Sequence, residues 1–186
     1  MTRGDVGYFF YIRFMAIITR TPRIVIREFM PEEKDLFFDL MTDTRINGFL
    51  PKRTDQQIRD IFIETIAEYL QGIKITRWGM FDALTGDFIG FCLLRYTADV
   101  DKTELGYVLN LRYHGKGLAT EMAKALLEYG FGKMNLAEIF AVTDHENEAS
   151  QQVLLKAGFT RGEHIFRYDK ELSYFRITKN EWMGDK

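Results

Sequence analysis

Apolar and polar positions along the chain change period in blocks, and the blocks predict a mixed fold. Residues 23–29 (RIVIREF) alternate, the period of a half-buried strand. Pro31 at a first helical position, with Glu32 and Glu33 in the first turn, opens a helix with Leu36, Phe37, Leu40 and Met41 on one face. After Asn47-Gly48 and Pro51, Thr54 to Gln57 forms a capping box. The helix behind it carries Ile58, Ile61, Phe62, Ile66, Tyr69 and Leu70 and closes at Gly72. Residues 74–83 and 87–96 read as a β-hairpin joined by Leu84-Thr85-Gly86. A strand follows over residues 104–110 with Leu105, Tyr107 and Leu109 on one face. The chain turns through residues 112–117, and from Leu118 a helix carries Met122, Ala125, Leu126 and Tyr129. Residues 138–143 form a short apolar strand suited to burial on both faces. Residues 147–150 start another helix, with Val153, Leu154 and Ala157 inward and Gly158 as its stop. Residues 159–167 and 171–178 make a closing hairpin across Asp169-Lys170. The order is β-α-α-β-β-β-α-β-α-β-β, an α/β (α+β) chain of about seven strands.

The stretch with chemistry in it lies between the 104–110 strand and the helix at Leu118. Arg112-Tyr113-His114-Gly115-Lys116-Gly117 places two glycines and two cations before a helix N-terminus, with no acidic side chain in the loop. Glycines let the backbone approach a bound group, and the first helical turn offers unpaired N–H donors with a partial positive charge. That combination binds phosphate. A Walker loop needs Gly-Lys-Ser/Thr, whereas Gly115-Lys116 is followed by Gly117. A dinucleotide fingerprint needs a third glycine where Thr120 stands and an acid on the next strand, a place Asp144 fills. Such folds begin with this unit, yet here about a hundred residues precede it. A tight strand-to-helix turn without a ligand is the other reading. The third loop type is Arg-x-x-Gly-x-Gly/Ala.

That loop resembles the pyrophosphate loop of the GNAT N-acetyltransferases, with Arg112, Gly115 and Gly117 in the diagnostic places. The likeness covers about residues 21–182 and is greatest to the branch of ribosomal-protein acetyltransferases of the RimJ and RimL type. Its other pieces are Thr21-Pro22-Arg23, Glu104-Leu105-Gly106-Tyr107, Asn147 to Ser150, Lys156 to Phe159 and Glu181-Trp182. The resemblance implies a twisted mixed sheet flanked by helices and open between the Glu104 and Glu138 strands, with acetyl-CoA as cosubstrate in the split. Tyr107, Val108 and Leu109 would pair through their backbone with pantetheine, and one of their N–H groups would face the oxyanion. Arg112, Gly115, Lys116, Gly117, Leu118, Ala119 and Thr120 would hold the pyrophosphate, and Asn147 and Ser150 would reach pantetheine. Asn147 also reads as a helix cap.

The implied reaction is direct attack of a primary amine on the thioester. Glu104 matches the family's base and equally reads as a salt-bridge partner. Where many members place a tyrosine acid, this chain has Leu154. Glu121 reads as a complement to the helix dipole. A protein N-terminal α-amine is the favoured acceptor; a polyamine, amino acid or antibiotic is the alternative, and a non-catalytic CoA-binding module is the alternative of another class. The acceptor side is expected from the first two helices and the first hairpin, where Phe37, Phe49, Trp78 and Phe81 read as core or as substrate wall.

Composition changes this picture little. With 186 residues, 46% hydrophobic and 28% charged, one domain over residues 15–186 is expected, as monomer or homodimer. A net charge of -2 offers no global attraction to nucleic acid or membrane, so an anion site must be local. Cys92, the single cysteine, permits no internal disulfide and suits a reducing, cytoplasmic setting. His114, His145 and His164 show no ligand-like spacing, so no metal is expected. Residues 1–14 read as an N-terminal extension whose apolar run is too short for a membrane span, and Met15 is a second candidate start.

Overall fold

A computed structural model describes residues 15–184, so the expected extension at 1–14 lies outside the described residues. One sheet runs through the molecule: β1 (Ile17–Arg20), β2 (Ile24–Arg27), β3 (Arg77–Asp82), β4 (Phe88–Thr97), β5 (Lys102–Leu109), β6 (Glu138–Thr143), β7 (Thr160–Arg161), β8 (Ile165–Arg167) and β9 (Lys170–Thr178). Spatial order is β1-β2-β3-β4-β5-β6-β9-β7, with β8 paired to β9. All pairs are antiparallel except β5 with β6.

The helices are α1 (Lys34–Thr42), α2 (Asp55–Leu70), α3 (Leu118–Leu127), α4 (Glu148–Lys156) and α5 (Lys179–Gly184). The Thr54–Gln57 capping box forms as expected, Gln57 N–H donating to Thr54 Oγ1 at 3.3 Å and Thr54 N–H to Gln57 Oε1 at 2.8 Å. Side-chain alternation on β3 and β4 sorts the helices to two faces. Phe91 meets Phe37 of α1 at 4.9 Å between ring centroids, and Phe37 meets Phe62 of α2 at 5.7 Å. On the other face Trp78, opposite Cys92, packs edge-on against Tyr129, just past α3, at 5.6 Å. A buried core fills both layers, with Met122, Leu126 and Phe131 fully enclosed on the α3 side.

Several boundaries differ from expectation. β1 is an added strand that the pattern of residues 15–22 did not announce. Pro31–Glu33 winds as a 3₁₀ turn before α1. The closing hairpin breaks into β7 and β8, and its reversal falls on Tyr168 and Asp169, with φ of 55° and 60°. Two consecutive positive φ values make the tight turn whose twist suits a hairpin, here without the usual glycine. Gly90 sits where β4 presses on β5: a Cβ there would lie 2.1 Å from the Val108 carbonyl oxygen, so no larger residue fits.

Candidate active site

The sheet comes apart at one place. β5 and β6 pair only at Thr103–Ile139 and Glu104–Phe140, although β5 runs on to Leu109 and stays paired with β4 as far as Leu109–Gly90. Beyond Glu104 the β6 side of β5 has no strand neighbour, and the fork opens toward α3 and α4. Two adjoining cavities, about 180 and 590 Å³, share Tyr107, Val108, Asn147, Ser150, Phe49 and Leu50 as walls, so they form one cleft with two ends.

The larger end is lined by Tyr107, Val108, Leu109, Gly115, Gly117, Leu118, Ala119, Thr120, Asn147 and Ser150. Gly117 is the N-cap of α3 with φ of 75° and supplies no side chain to cap the helix. The first-turn N–H donors are therefore left for a ligand. A left-handed conformation costs an L-residue roughly 1–2 kcal/mol, so glycine belongs there. Gly115 has φ of 72°. Arg23 braces the loop from behind, donating to the Lys116 carbonyl at 2.8 Å and to Glu121 at 2.6 Å. Burial works against the Glu121 carboxylate, but hydrogen bonds from Thr21 and Arg23 outweigh it and hold the carboxyl below its ordinary value. Glu121 thus anchors the turn between β1 and β2 to the first turn of α3.

The two loop cations sit elsewhere. Arg112 donates to the Phe88 carbonyl at 3.4 Å and lies over the Tyr113 ring. Lys116 is near the same ring, and neither lines the cleft. His114 Nε2 is 3.0 Å from the Leu109 carbonyl oxygen. At the waist, Tyr107 donates its hydroxyl proton to Ser150 Oγ at 3.1 Å, and Asn147 caps α4 by accepting from Ser150 N–H at 3.1 Å. Asn147 is thus a helix cap that also lines the cleft. Burial pushes the Tyr107 phenol up, more than its bond to Ser150 lowers it.

The smaller end is made of side chains. Glu104 stands on the last rung before the fork, opposite Arg95 on β4. Its Oε2 accepts from Arg95 at 2.9 Å and lies 3.5 Å from Arg167 Nη1, with the side chain only 10% exposed. Lys170 pairs with Asp144 at 2.6 Å. Arg53 and Arg77 also line this end, Arg53 donating to the Pro51 carbonyl and Arg77 to Thr65 Oγ1. Burial, then the charge of Arg95, pulls the Arg77 guanidinium below its ordinary value. Tyr168, in its left-handed turn, completes the wall with Phe49; Phe37 borders it from the core at 1% exposed, and Trp78 and Phe81 are core away from the cleft. Leu154 lines the same end, so the expected tyrosine position holds an apolar group.

Arg53, Arg77, Arg95, Tyr168 and Lys170 were not singled out from sequence. For Arg95 a signal existed: a hairpin centred on residues 98–101 puts it opposite Glu104. The others come from separate elements with no shared motif.

A family model for the acetyltransferase (GNAT) domain matches residues 23–160. The uncharacterized N-acetyltransferase YnaD of Bacillus subtilis is 29% identical over 175 residues, covering 87% of this chain and 97% of its own. The ribosomal-protein-S5-alanine acetyltransferase of Vibrio fischeri has a TM-score of 0.71 at 16% identity, over 88% of this chain and 97% of that one. A spermidine N-acetyltransferase from Vibrio cholerae, in complex with CoA and spermine, has the same TM-score at 17% identity, over 88% of this chain and 99% of that one. At such identities the solved structures speak for the fold, while the family match speaks for the chemistry. The forked sheet and the uncapped glycine turn fit the pantetheine and diphosphate of acetyl-CoA, the cosubstrate of these enzymes. The chain belongs to the GNAT family and is an N-acetyltransferase.

Proposed function

We propose that the acceptor is an α-amine that carries a carboxylate close by, as in a peptide N-terminus with an acidic residue at its first or second position. One observation supports this reading: the charge surplus at the smaller end of the cleft. Arg95 is matched by Glu104 and Lys170 by Asp144, while Arg53 and Arg77 form no ion pair among the described residues. Two unit charges about 4 Å apart exchange about 4 kcal/mol at an effective dielectric near 20. A polyamine would meet that repulsion; a carboxylate would gain it and would offset the buried Arg77 cation.

In this reading acetyl-CoA lies along β5, its diphosphate on the N–H donors of residues 117–120 and its thioester near the fork. Arg112 and Lys116 lie at the rim and meet the phosphates by swinging off Tyr113. The amine enters from the smaller end as the neutral base. An α-amine near pKa 7.8 is roughly a seventh neutral at pH 7, a lysine amine only about 0.04%. Glu104 takes the proton through water, and a β5 N–H bears the oxyanion, an effect worth about 3 kcal/mol where such donors act. The nitrogen–carbonyl bond forms, the carbon–sulfur bond breaks, and the CoA thiolate leaves without a tyrosine acid.

The test is acetylation of a panel of peptides with Asp or Glu, Ser or Ala, and Lys at the first two positions, beside spermidine and free amino acids, read by mass spectrometry. Acidic N-termini should give the highest kcat/KM. A free amino acid carries the same carboxylate and is the second arm. Spermidine as best acceptor would overturn the proposal while leaving the family intact.

A further inference from the structure

Outside the cleft, three side chains converge at ion-pair range with no hydrogen bond recorded among them. His145 follows β6, His164 lies between β7 and β8, and Glu171 is on β9; all three are solvent-exposed. One ligand-capable atom from each lies within 4.8 Å of the others. His145 Nε2 is 3.6 Å from Glu171 Oε2, and His164 Nδ1 is 3.8 Å from the same oxygen. The imidazole rings are 4.3 Å apart between centroids. These separations are too long for hydrogen bonds. They are close to what a small cation needs: tetrahedral zinc with bonds of about 2.0–2.1 Å sets its ligand atoms about 3.3 Å apart.

The geometry points to a divalent metal site, with zinc as the best-suited ion, formed by His145, His164 and Glu171. Two imidazole nitrogens and one carboxylate oxygen are a borderline set that zinc accepts with water in the fourth position. The surroundings already orient one ligand. His145 Nδ1 is 2.7 Å from Ser173 Oγ, and Ser173 is fully buried, so the ring is fixed with Nε2 outward. An outer partner on the second ring nitrogen is the usual device at histidine metal sites. Gln151 Nε2 also donates to the His145 carbonyl at 2.8 Å, steadying the backbone of that loop.

Such a metal ties the β6–α4 connection to the hairpin of β8 and β9. Those segments carry Asp144, Tyr168, Lys170 and Leu172, which line the smaller end of the cleft. The ion is thus a staple beside the acceptor end and not a participant in acyl transfer.

The experiment is calorimetric titration of the full, chelator-stripped chain with zinc chloride, alongside magnesium chloride. One zinc per chain is expected, with no magnesium uptake. His164→Ala and Glu171→Gln, both at exposed positions and checked for folding by circular dichroism, should each weaken zinc at least about 50-fold. Ser173→Ala should weaken it about tenfold, through loss of ring orientation. A cobalt-substituted sample should show the visible bands of tetrahedral coordination. No stoichiometric zinc in the wild type, or zinc affinity unmoved by both ligand variants, overturns the site.

Discussion

At the α3 end of the cleft the groups that face a ligand are peptide N–H donors at an uncapped helix start; at the β6 end they are guanidiniums and carboxylates on long side chains. The first end presents donors whose positions the helix itself sets, and it suits a ligand that never changes. The second draws its charges from the α2 entry, β3, β4, β5 and the β8–β9 hairpin, so no single element fixes its character. A constant cosubstrate and a variable acceptor match that division of materials.

The comparison breaks most sharply at Gly117. Gly117→Trp should cost about 100-fold or more in acetyl-CoA affinity by calorimetry, about 2.7 kcal/mol, with the far-ultraviolet spectrum unchanged. Retained affinity would mean that the donor end is not this loop. At the other end, Arg53→Gln combined with Arg77→Met should lower kcat/KM about 10- to 50-fold for an acidic N-terminus and leave a neutral one nearly unmoved. An equal loss for both acceptors would remove charge recognition from the account. Glu104→Gln should cut turnover about tenfold at pH 7, with the deficit shrinking toward pH 9 as the amine sheds its own proton. Its KM for acetyl-CoA should stay near wild type; unchanged turnover takes Glu104 out of the mechanism.

The smallest effect concerns stability. Lys170, then the Glu146 N–H, holds the Asp144 carboxyl below its ordinary value. A carboxyl depressed in the folded state stabilises it above the unfolded pKa, and that contribution is lost as pH falls through the folded value. Asp144→Asn should therefore lower Tm by about 1–2 °C at pH 7 and converge on wild type once the pH has fallen through the depressed folded-state value. A gap that persists in acid would assign the effect to packing.

The donor end was legible in the sequence because its parts are contiguous: a strand, two glycines and a helix start fall within residues 104–121. Backbone chemistry of that kind leaves a local signature. The Thr54 box was equally readable, being closed by residues three apart. The smaller end was not, since Arg53 comes from the connection between α1 and α2, Arg77 from β3 and Lys170 from β9, which meet only in the folded chain. The same holds for His145, His164 and Glu171, which are brought together by β6–β9 and β8–β9 pairing. Arg112 shows the reverse case: its spacing matches the motif, but its side chain is turned to Phe88. Type and spacing identify the loop, and rotamer choice lies beyond them.

Because β5 and β6 touch through a pair of rungs alone, the aperture between them is not set by hydrogen bonds. It is set by how closely α3 and α4 lie against each other and against their strands. The opening therefore rests on the packing beneath those helices, while the ladder from β1 to β5 keeps its own register.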